Sequence, residues 1–381
     1  MRDWIGTGKT TRFKWLRTGD EAFVTMLDVI EKAERTIRFE TYIFVRGEPG
    51  DRFRDALTRA VGRGVEVYVL IDAWGSTELP VDYWDGFIRA GGEFRWFNRP
   101  KLLKGTFRNH RKLLVVDEKV ACAGGYNISP EHLGDGVHWG WRDVGLMFEG
   151  MLAARLAETF DLMFTRADLP HRSFMRLMRT GAHRCIEGPD GRILLSGPGR
   201  GASRLKQSLR RDLSEAGEIS IMTPYFLPTY RLRLFLVRRA RRGVKVRILL
   251  PGKNDVRLSQ LASRRLYEGL LKAGVEIYEY QPQVLHAKMI VIDDAVYVGS
   301  ANLDTRSLYI NYELSVRLEN REIAAGAREV FAEALGHSKR IHLKPWLRSR
   351  DWIDRLQERM AYWLLARLDL FLARRQLLDL R

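Results

Sequence analysis

HRKLLVVDEKVACAGGYN at residues 110–127 and HAKMIVIDDAVYVGSAN at residues 286–302 decide how this chain is read. In each, a histidine is followed two residues later by lysine and seven later by aspartate, and then by a small-residue pair and an asparagine. The apolar runs Leu113–Val116 and Met289–Ile292 have the length and character of buried strands. Side chains on a strand alternate faces, so His110 and Lys112 project together, as do His286 and Lys288. After a turn, Gly124-Gly125 and Gly299-Ser300 return toward that face. Glycine lets the backbone approach a ligand, and the amides of Asn127 and Asn302 can donate to a phosphate oxygen. A lone histidine at a strand start is usually structural. Two copies at one spacing point to chemistry.

The repetition extends outward from these motifs. TIRFETYIF at 36–44 and EISIMTPYFL at 218–227 both read as strands. Each leads into a basic amphipathic helix, with Phe53, Leu57 and Val61 in the first copy and Leu232, Leu236 and Ala240 in the second. The helices end in the matching phrases GRGVEVYVLI at 62–71 and RRGVKVRILL at 241–250. AGGEF at 90–94 and AGVEI at 273–277 mark a second helix end running into a strand. The expectation is an α/β fold of two duplicated domains with mainly parallel central sheets, related by a pseudo-two-fold axis. The boundaries expected are 1–190, 191–340 and a helical tail at 341–381, with the seam inside the Gly- and Pro-rich stretch 188–202.

The chain has 381 residues, 45% of them hydrophobic, and a formal net charge of +17. That composition supports a large packed core, and the charge favours partners rich in phosphate, either nucleic acid or anionic lipid. Cys122 and Cys185 are the two cysteines, and neither sits in a metal-ligand or disulfide-framework spacing. The N-terminal region has no apolar core of signal-peptide length, and its GTGKT at 6–10 lacks the preceding strand and glycine of a phosphate loop. No run of about 18 apolar residues is present, so no spanning helix is expected.

The paired HxKxxxxD elements, followed by GGxN and GSxN, resemble the HKD signature of the phospholipase D superfamily. Longer phrases, among them PYFLPTYRLRLFLVRRARRGVKVRILLPG and VGSANLDTRSLYINYEL, are similar to bacterial cardiolipin synthases, and most of all to the B-type, which lack an N-terminal transmembrane pair. The likeness covers nearly the whole chain. It departs from the superfamily at Gly125, where serine is usual; the missing hydroxyl would weaken one phosphate contact, but the glycine form is common in the synthase branch, and Ser300 keeps the hydroxyl in the second copy.

The resemblance implies a catalytic set of His110, Lys112, Asp117, His286, Lys288 and Asp293, with Gly125, Asn127, Ser300 and Asn302 about the phosphate. It also implies Asp143 and Glu313 as carboxylates that orient the histidines. Strand alternation puts Asp117 and Asp293 on the face opposite the His/Lys pairs, a place suited to fixing the turn. Phosphodiester exchange needs a nucleophile, an acid for the departing alcohol and positive charge about the phosphoryl oxygens. Two imidazoles near neutral pH can supply the first two, His110 as nucleophile and His286 as acid and base, although the reverse assignment fits the residues equally. No metal or cofactor is expected.

The tail places Trp352, Leu356, Met360, Trp363 and Leu364 at helical spacing with arginine between them, as in a helix lying in a bilayer interface; docking on the protein's own core gives the same pattern. The basic loop of Lys101, Lys104 and Arg108 adds to it. A polar loop carrying His132, His138 and Trp139 receives no role. The expected reaction is cardiolipin formation from two phosphatidylglycerols by a peripheral protein on the cytoplasmic face of a bacterial inner membrane, with no nucleic-acid partner. Hydrolysis of phospholipid, a nucleic-acid phosphodiesterase and an inactive membrane adaptor remain alternatives.

Overall fold

The computed structural model describes residues 4–6, 10–98, 107–167, 184–188, 190–198 and 203–368. Lys101 and Lys104, part of the 188–202 stretch and the end of the tail lie outside these residues. The first half forms β1 (Ile5–Gly6), β2 (Thr11–Leu16), β3 (Thr36–Thr41), β4 (Glu66–Asp72), β5 (Glu93–Phe97), β6 (Leu113–Val116), β7 (Val120–Gly124) and β8 (Gly145–Gly150). The second half forms β9 (Cys185–Glu187), β10 (Arg192–Ser196), β11 (Glu218–Met222), β12 (Lys245–Pro251), β13 (Glu276–Tyr280), β14 (Met289–Ile292), β15 (Ala295–Gly299), β16 (Glu313–Glu319) and β17 (Ser338–Ile341).

The first sheet runs β1-β2-β8-β7-β6-β3-β4-β5 and the second β17-β13-β12-β11-β14-β15-β16-β10-β9. Reversed and stripped of β17, the second order is the first with every strand moved on by eight. The duplication is therefore topological as well as textual. The repeated glycine phrases end helices as expected. Gly64 and Gly243 take positive φ (88° and 84°), while Val65 and Val244 bond back to the carbonyls of Ala60 and Arg239.

The expectation of mainly parallel sheets needs correction. Among the described strands, only β3-β4-β5 and β11-β12-β13, joined by helical crossovers, are parallel; the other strand pairings are antiparallel. The reason is local. Val116 pairs with Val120 and Ile292 with Ala295, and turns this short can join only antiparallel strands. The first turn is one residue longer than the second, which explains the unequal histidine-to-asparagine spacing. β9 pairs with β10, so we place the seam ahead of Cys185.

A central apolar core joins the halves. Leu146 and Phe148 of β8 and Val296 and Val298 of β15 meet Leu156 and Phe160 of helix Met151–Phe164, and Val330 and Phe331 of helix Arg321–Gly336. Separate outer cores form under Phe23, Phe53 and Leu57 in the first half and under Leu209, Leu213 and Leu236 in the second. Helix Trp352–Trp363 opens on a capping box between Asp351 and Asp354 and lies along helix Arg257–Arg264.

Candidate active site

The segment preceding each histidine pairs with a segment of the other half. Asn109 bridges Tyr312, with His110 N–H donating to the Tyr312 carbonyl at 3.0 Å and Tyr312 N–H to the Arg108 carbonyl at 2.8 Å. Leu285 bridges Arg142 in the same way, with His286 N–H on the Arg142 carbonyl at 2.8 Å. The residue after each partner is the orienting carboxylate, so the carboxylates are exchanged between halves. His110 Nδ1 lies 3.1 Å from Glu313 Oε2, and His286 Nδ1 lies 2.6 Å from Asp143 Oδ2. With each Nδ1 carrying its proton to a carboxylate, each Nε2 is left with its lone pair.

His110, His286, Asn127 and Asn302 line one cavity of about 400 Å³. Lys112 and Lys288 stand behind the wall, each ammonium donating to the carbonyl of its own histidine. Lys288 also sits 3.0 Å from His286 Nε2. Burial pushes the His110 imidazolium down to about 4 against the opposing pull of Glu313. Burial, and then Lys288, push His286 well below the usual histidine range. Although burial pushes its carboxyl upward, His286 and Lys288 hold Asp143 well below the ordinary carboxylate value.

Burial likewise brings Lys112 down to about 7 and Lys288 to about 8. For Lys112 the unfolded chain then binds more protons than the folded one between about 7 and the ordinary 10.5. Stability should therefore rise with pH across that interval, as the cost of a buried ammonium disappears. In calorimetric scans from pH 7 to pH 10, the rise in Tm should be smaller for Lys112→Met than for the parent chain.

Three expectations change on inspection. Asp117 and Asp293 do not reach the cavity. The Asp117 carboxylate accepts from the backbone N–H of Glu34, Arg35 and Thr36, and Asp293 from Gly217 and Glu218. Both sit at positive φ in the hairpin turns, tying each turn to the start of β3 or β11. Seven residues along a strand from histidine is the far end of the sheet. Ser300 is not turned toward a phosphate either; its hydroxyl donates to Glu313 Oε2 at 2.5 Å, while Ser307 donates to Oε1 at 2.7 Å.

Gly125 is accordingly a matter of space rather than of a lost contact. A Cβ there would stand 2.1 Å from Asp143 Oδ1. Gly125→Ala should push the carboxylate off His286 and lower turnover by about 100-fold, the scale of an ångström-sized misplacement, with Tm nearly unchanged. Wild-type rates from that variant would contradict this packing.

The sequence passed over several site residues. His132 is fully buried, its Nε2 3.0 Å from the Asn127 amide nitrogen and its Nδ1 3.4 Å from Asp143 Oδ2. The amide donates to Nε2, which leaves the proton on Nδ1, facing Asp143. His132, Asp143 and His286 also bring three donor atoms within 4.8 Å, the grouping among the described residues that could hold a metal ion. His286 Nδ1 is hydrogen-bonded to the Asp143 carboxylate, and His132 Nδ1 faces the same oxygen at the longer distance of 3.4 Å. Aligning the copies sets His132 against Ser307, five residues after each asparagine, and that register was the available signal.

Tyr42, Arg108, Trp141, Tyr225 and Arg306 also line the cavity. Arg108 donates to the Tyr42 hydroxyl at 2.7 Å, and Trp141 packs 5.3 Å from the His286 ring. Behind them Asp72, pushed up to about 7 by burial, accepts the Asn109 N–H beside His110. Two imidazoles, two asparagine amides and two guanidiniums, with Asp255 and Asp304 as the acidic part of the wall, surround one cavity and suit attack on an anionic phosphodiester.

The family model described as "Cardiolipin synthase, PLD-like domain" matches residues 26–137 and 209–335. The cardiolipin synthase of Clostridium perfringens is 34% identical over 349 residues, 88% of this chain and 72% of that one. The major cardiolipin synthase of Bacillus subtilis is 32% identical, covering 90% and 72%. Cardiolipin synthase B of Salmonella typhimurium is 32% identical, covering 83% and 78%. The fold is similar to a solved phosphatidylserine synthase from Haemophilus influenzae, at a TM-score of 0.74 and 15% identity over 97% and 96% of the two chains.

Proposed function

Because the chain belongs to the cardiolipin synthase family of phospholipase D-like phosphatidyltransferases, we propose that it joins two phosphatidylglycerol molecules into cardiolipin, releasing glycerol. One observation carries this reading: histidines from opposite halves, each held at Nδ1 by the other half's carboxylate, line a single cavity. In the first step His110 Nε2 attacks phosphorus, the bond from phosphorus to the glycerol headgroup oxygen breaks, and His286 gives that oxygen a proton. In the second, His286 takes the proton from a hydroxyl of the other phosphatidylglycerol. That oxygen attacks phosphorus, the bond to His110 breaks, and cardiolipin leaves.

His286 has to be protonated for the first step, and burial and the neighbouring Lys288 disfavour that. A phosphodiester bound against His110 and His286 adds negative charge next to the ring. Acid and substrate are thus coupled: arrival of the anion raises His286 toward its working state. Asn127, Asn302 and Arg108 hold the nonbridging oxygens.

The substrates are bilayer lipids, so we place the protein peripherally, on the cytoplasmic face of a bacterial inner membrane. No described helix is long and apolar enough to cross a membrane. The net charge of +17 and the apolar side of the terminal helix support surface attachment. The test is mass spectrometry of lipids after incubation with phosphatidylglycerol vesicles. Cardiolipin and free glycerol are expected. Phosphatidic acid in place of cardiolipin means that water is the acceptor, and an unchanged lipid profile refutes lipid chemistry on this substrate.

A further inference from the structure

Helix Trp352–Trp363 packs on the protein through Asp354, Glu358, Ala361 and Tyr362, and continues to Leu365 on the wall of the catalytic cavity. Its opposite side is apolar and uncovered. Trp352 is 73% exposed, Met360 62% and Trp363 58%, and Leu356 and Ile353 lie among them. At about 100° per residue these side chains and Leu364 occupy an arc of about 120°. A helix anchored by one face and bearing aromatic and aliphatic side chains on the other has the form of an interfacial element.

Along the edge of this stripe lies a second cavity of about 400 Å³, between the helix and the segment Arg265–Lys272. Five cationic side chains line it, Arg265, Lys272, Arg350, Arg355 and Arg359, against two carboxylates. Both carboxylates are already engaged: Arg350 pairs with buried Glu358, and Lys272 donates to Glu268 at 2.6 Å. That leaves Arg265, Arg355 and Arg359 without an ion-pair partner among the described residues; Arg355 donates only to the Leu347 carbonyl, at 3.3 Å. A guanidinium cluster of this kind matches the oxygens of a phosphate.

We propose that this basic cavity holds the phosphate of an anionic phospholipid while the adjoining stripe enters the same bilayer. The inference rests on the lipid reading of the catalytic cavity and adds to it a second lipid site, separate from the reacting one. Charge complementarity favours a lipid surface over a second copy of a chain that itself carries +17. Because the helix brings Leu365 to the catalytic cavity, a headgroup clamped here sets that cavity's mouth at the bilayer surface.

The test is partition onto vesicles of phosphatidylcholine with and without phosphatidylglycerol, for the full chain, for Arg265→Glu/Arg359→Glu and for Leu356→Asp/Met360→Asp. The charge-reversal variant should bind the anionic vesicles about tenfold more weakly or worse, with little change on phosphatidylcholine alone. The stripe variant should lose affinity for both. Circular dichroism and Tm establish that each variant is folded. Equal loss of the charge-reversal variant on both vesicle types, or no loss on either, overturns the proposal. Titration with inorganic phosphate is the second arm: free phosphate whose binding needs Arg265 and Arg359, with vesicle binding unchanged, overturns the lipid assignment. A stripe variant that alters the oligomeric state but not vesicle binding assigns the face to a second copy instead. Turnover of dissolved short-chain phosphatidylglycerol reports the chemistry separately, so failure of the clamp and failure of the transferase reading are told apart.

Discussion

His110→Ala and His286→Ala should each lower phosphatidyl transfer by about 10⁴-fold or more, because residues acting as one unit fail together. The two losses differ in what they leave behind. With His286 absent, His110 can still attack, but the departing glycerol lacks its acid and the acceptor hydroxyl lacks its base. A lipid adduct on the protein should therefore accumulate slowly in His286→Ala, visible by intact mass. His110→Ala should form none. An adduct in His110→Ala, on His286, would exchange the two roles; turnover by either single variant near the parent rate would refute a shared site.

The second large effect concerns the exchanged carboxylates. Glu313→Gln should impair His110, and Asp143→Asn should impair His286, each by about 10³- to 10⁴-fold in kcat, because an amide fixes the wrong tautomer of its imidazole. Their signature is crosswise. In ¹⁵N spectra of labelled histidine, Asp143→Asn should move the His286 resonances and leave those of His110 nearly in place, with the converse for Glu313→Gln. The opposite pairing of variants and signals would mean that each carboxylate serves its own half. The wall around Asp143 refines the expectation. His132 shares its Oδ2 with His286, whereas Glu313 is held by two serine hydroxyls. Asp143→Asn should therefore disturb two histidine signals and Glu313→Gln one.

Much of this arrangement was legible from residue order. A two-residue period sets each histidine and lysine on one face, and repetition of the whole phrase lifts the pair above coincidence. Asp143 and Glu313 came from the family resemblance and not from residue order, and without their partners. His110 and Glu313 are separated by 203 positions, and His286 and Asp143 by 143, and nothing in spacing reports such a crossing. The parallel character of the sheets was overestimated for a related reason. The helical crossovers are conspicuous in sequence, whereas the tight turns after Val116 and Ile292, which force antiparallel neighbours, are brief. His132 stayed hidden in a polar loop because its burial comes from His286 and Trp141 closing over it.

The segments that cross between halves, Asn109 with Tyr312 and Leu285 with Arg142, bear on how such a protein can arise. A single unduplicated half could complete its own histidine only by lending its carboxylate to an identical twin and borrowing one back, as a two-fold dimer. Every residue of that ancestor would hold two posts at once, nucleophile's neighbour on one side and acid's neighbour on the other. Fusion ends the obligation. Gly125 with Asp143 and His132, set against Ser300 with Glu313 and Ser307, is what separate careers look like once each copy is free to specialise.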